Sequence, residues 1–162
     1  MKLPEPWWAT LPRTNFGSSR TEERLAALVL AGRKRATVWD ARHENPTAPG
    51  MQWVVTVKER PVAVIETVRV QQRSFHSIDT AFAFEEGEGD RTLAFWRSTH
   101  EAYFRSEGNF APDMMLWSEH FRLIEVLDPA LAAAADTHVA AEQAEGEALT
   151  ASLQKIETRE LP

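Results

Sequence analysis

Gly32-Arg33-Lys34-Arg35-Ala36-Thr37-Val38-Trp39 is the stretch on which the fold turns, because it joins a helix to a strand. Upstream, Ser19-Arg20-Thr21-Glu22 has the spacing of a capping box. Leu25, Leu28 and Val29 then recur at helical spacing, and Gly32 suits the position just past a helix end. The pattern predicts a helix over residues 20–31. Downstream, Ala36 to Trp39 is short and β-prone, and Ala41 to Gly50 carries the Pro, Asn and Gly of a loop. Gln52 to Val57 reads as a strand, Lys58 to Pro61 as a turn, and Val62 to Val70 as a longer strand able to bend around a barrel. Strands following a single opening helix indicate an α+β domain.

The second half adds helices. Ser77 to Phe84 reads as a short helix, broken by Glu86-Gly87-Glu88-Gly89-Asp90. Asp90 suits the cap of a further helix in which Leu93, Trp96, His100, Tyr103 and Phe104 share one face. Met115 to Trp117 and His120 to Leu127 read as two more strands. Beyond Pro129 the chain turns rich in Ala, Glu, Gln and Thr. Ala favours helix, but few large apolar side chains remain to bury. Residues 128–162 are therefore expected to form a peripheral helical tail beside a folded unit of residues 1–127.

Composition narrows the function. A chain of 162 residues with 43% hydrophobic residues can bury one core unaided. With no Cys, disulfides and Cys-held zinc are excluded. The opening MKLPEPWWATLPRT lacks the apolar run of a secretory signal, and no window has the apolar length of a membrane span. A cytoplasmic protein with no membrane partner is expected. A net charge of −6 argues against holding long nucleic acid by phosphate neutralisation. A small ligand or a short nucleotide fits better.

Complete catalytic signatures are scarce. There is no G-x-S-x-G, phosphate-binding loop or dinucleotide fingerprint. The five His show no helical metal-pair spacing, so neither a metal nor a cofactor is expected. What remains is Lys34 and Thr37, three apart at a helix-to-strand junction. A buried Lys with a lowered pKa can act as a base and activate a Thr hydroxyl. A carboxylate from Glu85, Glu86 or Glu88 would orient the Lys or pass a proton to a leaving amine. On spacing alone, however, Lys34 reads as a solvated loop cation and the three Glu as an acidic loop.

The run Gly32-Arg33-Lys34-Arg35-Ala36-Thr37 resembles the G-[RK]-K-x-x-T signature that opens domains of the activating-signal-cointegrator homology (ASCH) family. Pro49-Gly50 resembles the family's turn before a strand, although Met51 stands where many members carry Asp. Ala81-Phe82-Ala83-Phe84-Glu85-Glu86-Gly87-Glu88-Gly89-Asp90, then Leu93-Ala94-Phe95-Trp96, and the closing strand Phe121 to Val126 are also similar to it. The resemblance spans roughly residues 15–127. It implies a PUA-like small β-barrel flanked by helices, with a cleft for a nucleoside or short RNA.

Some small bacterial members of that family are amidohydrolases that remove the acyl group from N4-acetylcytidine. The resemblance assigns their catalytic Lys and Thr to Lys34 and Thr37. It assigns their Glu to Glu86, with Glu85 and Glu88 left open. In that reading Trp39 stacks on the base, or is simply core, and Arg33 helps to stabilise the oxyanion. Glu85 and Glu88 join Arg33 and Trp39 in holding substrate, and no metal is needed. Other members are reported as ribonucleases. The alternative is therefore an RNA-binding module in which Arg33, Lys34, Arg35, Arg42 and Arg73 neutralise phosphates.

Overall fold

The computed structural model describes residues 1–45 and 47–160. Pro46 of the expected loop and residues 161–162 of the expected tail lie outside the described residues. The elements are β1 (Arg13–Thr14), α1 (Glu22–Leu30), β2 (Ala36–Asp40), β3 (Gln52–Val57), β4 (Arg60–Ser74), a 3-10 turn (Phe75–Ser77), α2 (Thr80–Glu86), α3 (Leu93–Ser106), β5 (Met115–Val126) and α4 (Pro129–Glu160).

Helix α1 forms where the sequence places it, with different capping. Thr21 is the N-cap residue and makes no side-chain cap. Its hydroxyl instead accepts from the Ser18 amide at 2.9 Å. Glu22, the first helical residue, reaches away to accept from the Lys58 amide at 3.1 Å. The far end closes as expected at Gly32, whose φ is +74°. Gly32 donates to the Val29 carbonyl and Arg33 to that of Leu28, both at 3.0 Å. That pair of bonds is a Schellman closure, and it turns the chain straight into β2.

The two strands expected over 115–117 and 120–127 are one, β5, because Ser118 and Glu119 stay paired with Gln71 and Val70. Likewise β4 runs to Ser74, further than the β-branched run alone suggests. The cap of α3 is Thr92, whose Oγ1 accepts from the Phe95 amide at 3.1 Å. Asp90 sits two residues outside and accepts from the Thr92 amide and hydroxyl. Asp79 caps α2 through the Phe82 amide.

The sheet order is β1-β3-β4-β5-β2. β1 runs parallel to β3, and the other pairs are antiparallel. Register shifts at Val64/Ile65 and Thr67/Arg69 bend the long β4–β5 ribbon. The expected barrel does not close. β1 has only two residues, and among the described residues nothing pairs it with β2. An α+β domain with an open, curled five-stranded sheet is the result.

Two apolar clusters flank the sheet. One joins α1 to Val55, Val57, Val62, Ala63, Ile65 and Phe121. The other packs Phe75, Ile78, Phe82, Trp96 and Phe104 against Ala36 and Leu116. α4 is helical, as its Ala content predicts, but its first half is not peripheral. Leu131 and Ala135 are buried in the first cluster. No described helix is long and apolar enough to cross a membrane.

Candidate functional site

The Schellman turn that ends α1 drives Lys34 inward, and only 2% of the residue remains exposed. Its Nζ donates to the Ala36 carbonyl at 2.8 Å, the Glu86 carbonyl at 3.3 Å and Glu88 Oε2 at 2.9 Å. Three acceptors around one ammonium satisfy all its donors, which is what makes a buried Lys tolerable. The Phe16 ring lies beneath it, with its centroid at 5.4 Å. Lys34 is thus no solvated loop cation.

Glu86 and Glu88 reach the same place from the C-terminus of α2. Gly87 ends the helix with φ +76°. A Cβ there would sit 2.3 Å from the Arg33 carbonyl oxygen and 2.9 Å from Lys34 Cα. Only glycine allows this turn to lie against the Arg33–Lys34 backbone. The Glu86 side chain is 2% exposed and that of Glu88 23% exposed.

Glu86 is enclosed by α3. Its Oε2 accepts the Trp96 indole N–H. Its Oε1 lies 2.8 Å from His100 Nε2 and 3.9 Å from Lys34 Nζ. The other His100 nitrogen, Nδ1, lies 2.8 Å from the Trp96 carbonyl. A carbonyl and a carboxylate can only accept, so both ring nitrogens carry hydrogen and His100 is an imidazolium. Burial alone would raise the Glu86 pKa, but His100 first and Lys34 second outweigh it and hold Glu86 down to about 2. Burial would lower His100, and Glu86 reverses that, so His100 lies above its ordinary value. Glu88 is held above the usual carboxylate range, by burial first and by the Glu86 charge against the pull of Lys34. Two carboxyls two residues apart are thereby pushed in opposite directions, the pattern that separates an anion from a proton donor.

These groups open onto a cleft of about 1260 Å³. Every strand contributes to its wall: Thr14 from β1, Thr37 and Trp39 from β2, Trp53 from β3, Ile65 from β4 and Glu119 from β5. The cleft is lined by both edge strands, β1 and β2, across the seam that a closed barrel would have sealed. Among the described residues, nothing hydrogen-bonds the Thr37 hydroxyl. Trp39 is half-buried, and its Nε1 is a buried donor with no partner.

Lys34, Thr37, Trp39, Glu86 and Glu88 are therefore brought together at one cleft. Arg33 and Glu85 are not. Arg33 donates to the Gly87 carbonyl at 2.8 Å, to that of Gly89 at 2.6 Å and to Gln143 of α4 at 2.7 Å. It clamps the loop that carries the acids. Glu85 pairs at the surface with Arg35, 3.0 Å away. α4 supports the same loop. Glu142 accepts from the Gly89 amide at 2.8 Å, and a Cβ on Gly146 would meet Asp90 N at 2.2 Å.

Among the lining residues that the sequence does not single out are His100 and Glu119. His100 was placed only on an apolar helix face, and its pairing with Glu86 crosses two elements. Glu119 lay in a segment read as a break between strands. It is 7% exposed and stands directly across the β2–β5 ladder from Thr37. Pairs at opposed positions share one face of a sheet, so the signal becomes legible once the register is known.

Donor atoms of Glu86, Glu88 and His100 lie within 4.8 Å of one another, close enough to hold a cation. Lys34, 2.9 Å from Glu88, already supplies positive charge there, and His100 offers no lone pair while it is an imidazolium. The arrangement sets a fully hydrogen-bonded ammonium against Glu88 in the cleft that Thr37 lines.

The ASCH-domain family model matches residues 12–125. A crystal structure of an ASCH domain from Lactobacillus crispatus is similar with a TM-score of 0.64 at 30% identity, over 70% of this chain and 79% of the other. The crystal structure of a protein from Enterococcus faecalis is similar with a TM-score of 0.63 at 27% identity, over 72% and 81% of the two chains. No curated protein matches the sequence.

Proposed function

The chain belongs to the ASCH-domain family, and from that premise we propose that it is a metal-independent amidohydrolase that removes the acyl group from N4-acylated cytidine or a related nucleoside. The observation that carries this reading is the 2.9 Å contact between Lys34 and Glu88 inside the cleft that Thr37 lines. In this reading the proton of that contact passes to Glu88 when substrate binds, which leaves Lys34 as the amine that acts as base.

The cycle then closes without an outside proton source. Lys34 takes the proton from the Thr37 hydroxyl, or from a water beside it, as the oxygen attacks the acyl carbon. The tetrahedral oxyanion collapses, the carbon–nitrogen bond breaks, and Glu88 gives its proton to the leaving amino group. The Lys34 ammonium returns a proton to Glu88. If Thr37 is the nucleophile, water then releases the acyl group from it. Glu86, enclosed by Trp96 and His100, fixes the local charge and touches no substrate. Glu88 thus takes the proton-donor role first given to Glu86.

Phosphate neutralisation of RNA finds little support. Arg33 is committed to backbone carbonyls, Lys34 is buried, and Arg35, Arg42 and Arg73 pair with Glu85, Asp40 and Asp79.

The test is conversion of N4-acetylcytidine to cytidine, followed by chromatography. Wild type should convert it, and Lys34→Ala should lose about 10²–10⁴-fold in kcat, the range for a general base. Folded wild-type protein that leaves N4-acetylcytidine and longer acyl cytidines intact would overturn the reading.

A further inference from the structure

The cycle above leaves one buried acid of the cleft unused. Glu119 sits at the end of a chain of hydrogen bonds that begins at a donor. An indole N–H can only donate, and Trp53 Nε1 lies 3.0 Å from Thr47 Oγ1. Thr47, having accepted, can donate onward to Thr67 Oγ1 at 2.6 Å. Thr67 in turn donates to Glu119 Oε1 at 2.7 Å. Thr47 and Thr67 are buried at 6% and 1% exposure, so this chain is built into the sheet. With the chain running toward Glu119, Oε1 is an acceptor, and a proton on the carboxyl then sits on Oε2.

We propose that Glu119 is the base-reading residue of the cleft, donating from Oε2 to N3 of the pyrimidine and so selecting cytosine over uracil. This rests on the nucleoside reading above and names the part of the ligand that the site recognises. Both bases present O2 as an acceptor, but N3 of cytosine accepts. Uracil presents an N3–H, which would face a second donor. A site built to hydrogen-bond one pattern rejects the other strongly, because the mismatch leaves buried polar groups unpaired. Glu119 is well placed for this task. It lies opposite Thr37 in the β2–β5 register, so a base held at Glu119 lies beside the hydroxyl that meets its N4 substituent.

Burial holds the Glu119 carboxyl above its ordinary range, and the Thr67 bond and then the Lys34 charge oppose that rise. The groups facing it are Thr67 from β4, Lys34 from the α1–β2 turn and Thr37 from β2. The donor on Oε2 is thus present at mildly acidic pH and lost as pH rises through the raised value.

The experiment is equilibrium binding of cytidine and of uridine by titration calorimetry, from pH 5 to 8. The proteins are wild type, Glu119→Gln and Glu119→Leu, with the melting temperature recorded for each. Wild type should prefer cytidine by about tenfold or more at the acid end and lose that preference as pH rises. Glu119→Gln should keep the preference and lose its pH dependence, because Thr67 still donates to Oε1 and the amide presents N–H to the cleft at every pH. Glu119→Leu should lose the preference. Equal affinity of wild type for the two nucleosides would overturn the proposal, as would a pH-dependent preference surviving in Glu119→Gln. Binding is read apart from turnover. A protein that discriminates the bases and hydrolyses no acyl cytidine would uphold this proposal and sink the amidohydrolase reading. One that hydrolyses acyl cytidine without discriminating would do the reverse.

Discussion

Glu86 and Glu88 are the same residue type two positions apart, and their surroundings give them different chemistry. Glu86 has both oxygens engaged by Trp96 and His100, whereas Glu88 touches Lys34 and keeps 23% of its side chain exposed. Glu88→Gln should therefore lower kcat by about 10²–10⁴-fold, the range for a general acid, with little change in melting temperature. Glu86→Gln should do the opposite in kind. It removes one partner of a buried ion pair, a loss of about 3–5 kcal/mol in comparable cases, so chemical denaturation should show it first. If the two variants lose activity and stability in equal measure, the division of roles is wrong. At this scale much of the candidate cleft lining was legible. Lys34, Thr37 and the acidic block follow a linear pattern, and linear patterns survive without a structure. Arg33 and Glu85 sit inside the same pattern and point elsewhere. Which neighbour turns inward depends on the Schellman closure at Gly32 and the left-handed turn at Gly87. Glu119 carried no pattern at all, because its relation to Thr37 is a matter of strand register.

Among the elements, α4 departs most from its sequence expectation. It lies beyond the region matched by the family model, which ends at residue 125. Yet Glu142, Gln143 and Gly146 all touch the loop that carries Glu88, or its clamp Arg33. Composition revealed the helix and hid its packing, because the contacts are made by small residues and by polar side chains. Ala135 and Gly146 bring helix backbone close to its neighbours in the way that large apolar residues cannot. Gly146→Ala tests this directly. Helix propensity alone would make the change stabilising by about 1 kcal/mol. The added Cβ would instead meet backbone of Gly89 and Asp90 at 2.2–2.6 Å, where no flexible side chain can give way. Overpacking of this kind costs about 1–3 kcal/mol. A lower melting temperature and faster amide exchange at residues 87–90 are expected. A higher melting temperature with unchanged exchange would show that α4 does not hold the loop.

On the scale of the whole molecule, the strand content and helix order were legible, and closure of the sheet was not. Closure depends on whether β1 and β2 meet, and a two-residue β1 leaves no signature in composition. The open seam is what gives the cleft its two edges. Between the two apolar clusters lies the charged set Lys34, Glu86, Glu88 and His100, so global stability is tied to pH. Glu86 falls from an ordinary 4.5 to about 2 on folding. Its contribution is present above pH 4.5 and is lost as pH falls toward 2. His100 is raised above 6.5. Its contribution is complete below 6.5 and is lost as pH rises through the folded value. Glu88 and Glu119 are raised by burial, so they add a decline that begins above the ordinary 4.5. Stability should therefore peak between pH 4.5 and 6.5 and fall on both sides. Melting temperatures from pH 3 to 9 would show the dome. In Glu86→Gln both limbs should flatten, since the carboxylate is gone and His100 no longer has a charged partner. In Glu119→Gln only the alkaline limb should soften. A wild-type profile that keeps rising from pH 5 to 8 would mean that the His100–Glu86 pair is not the charged pair described here.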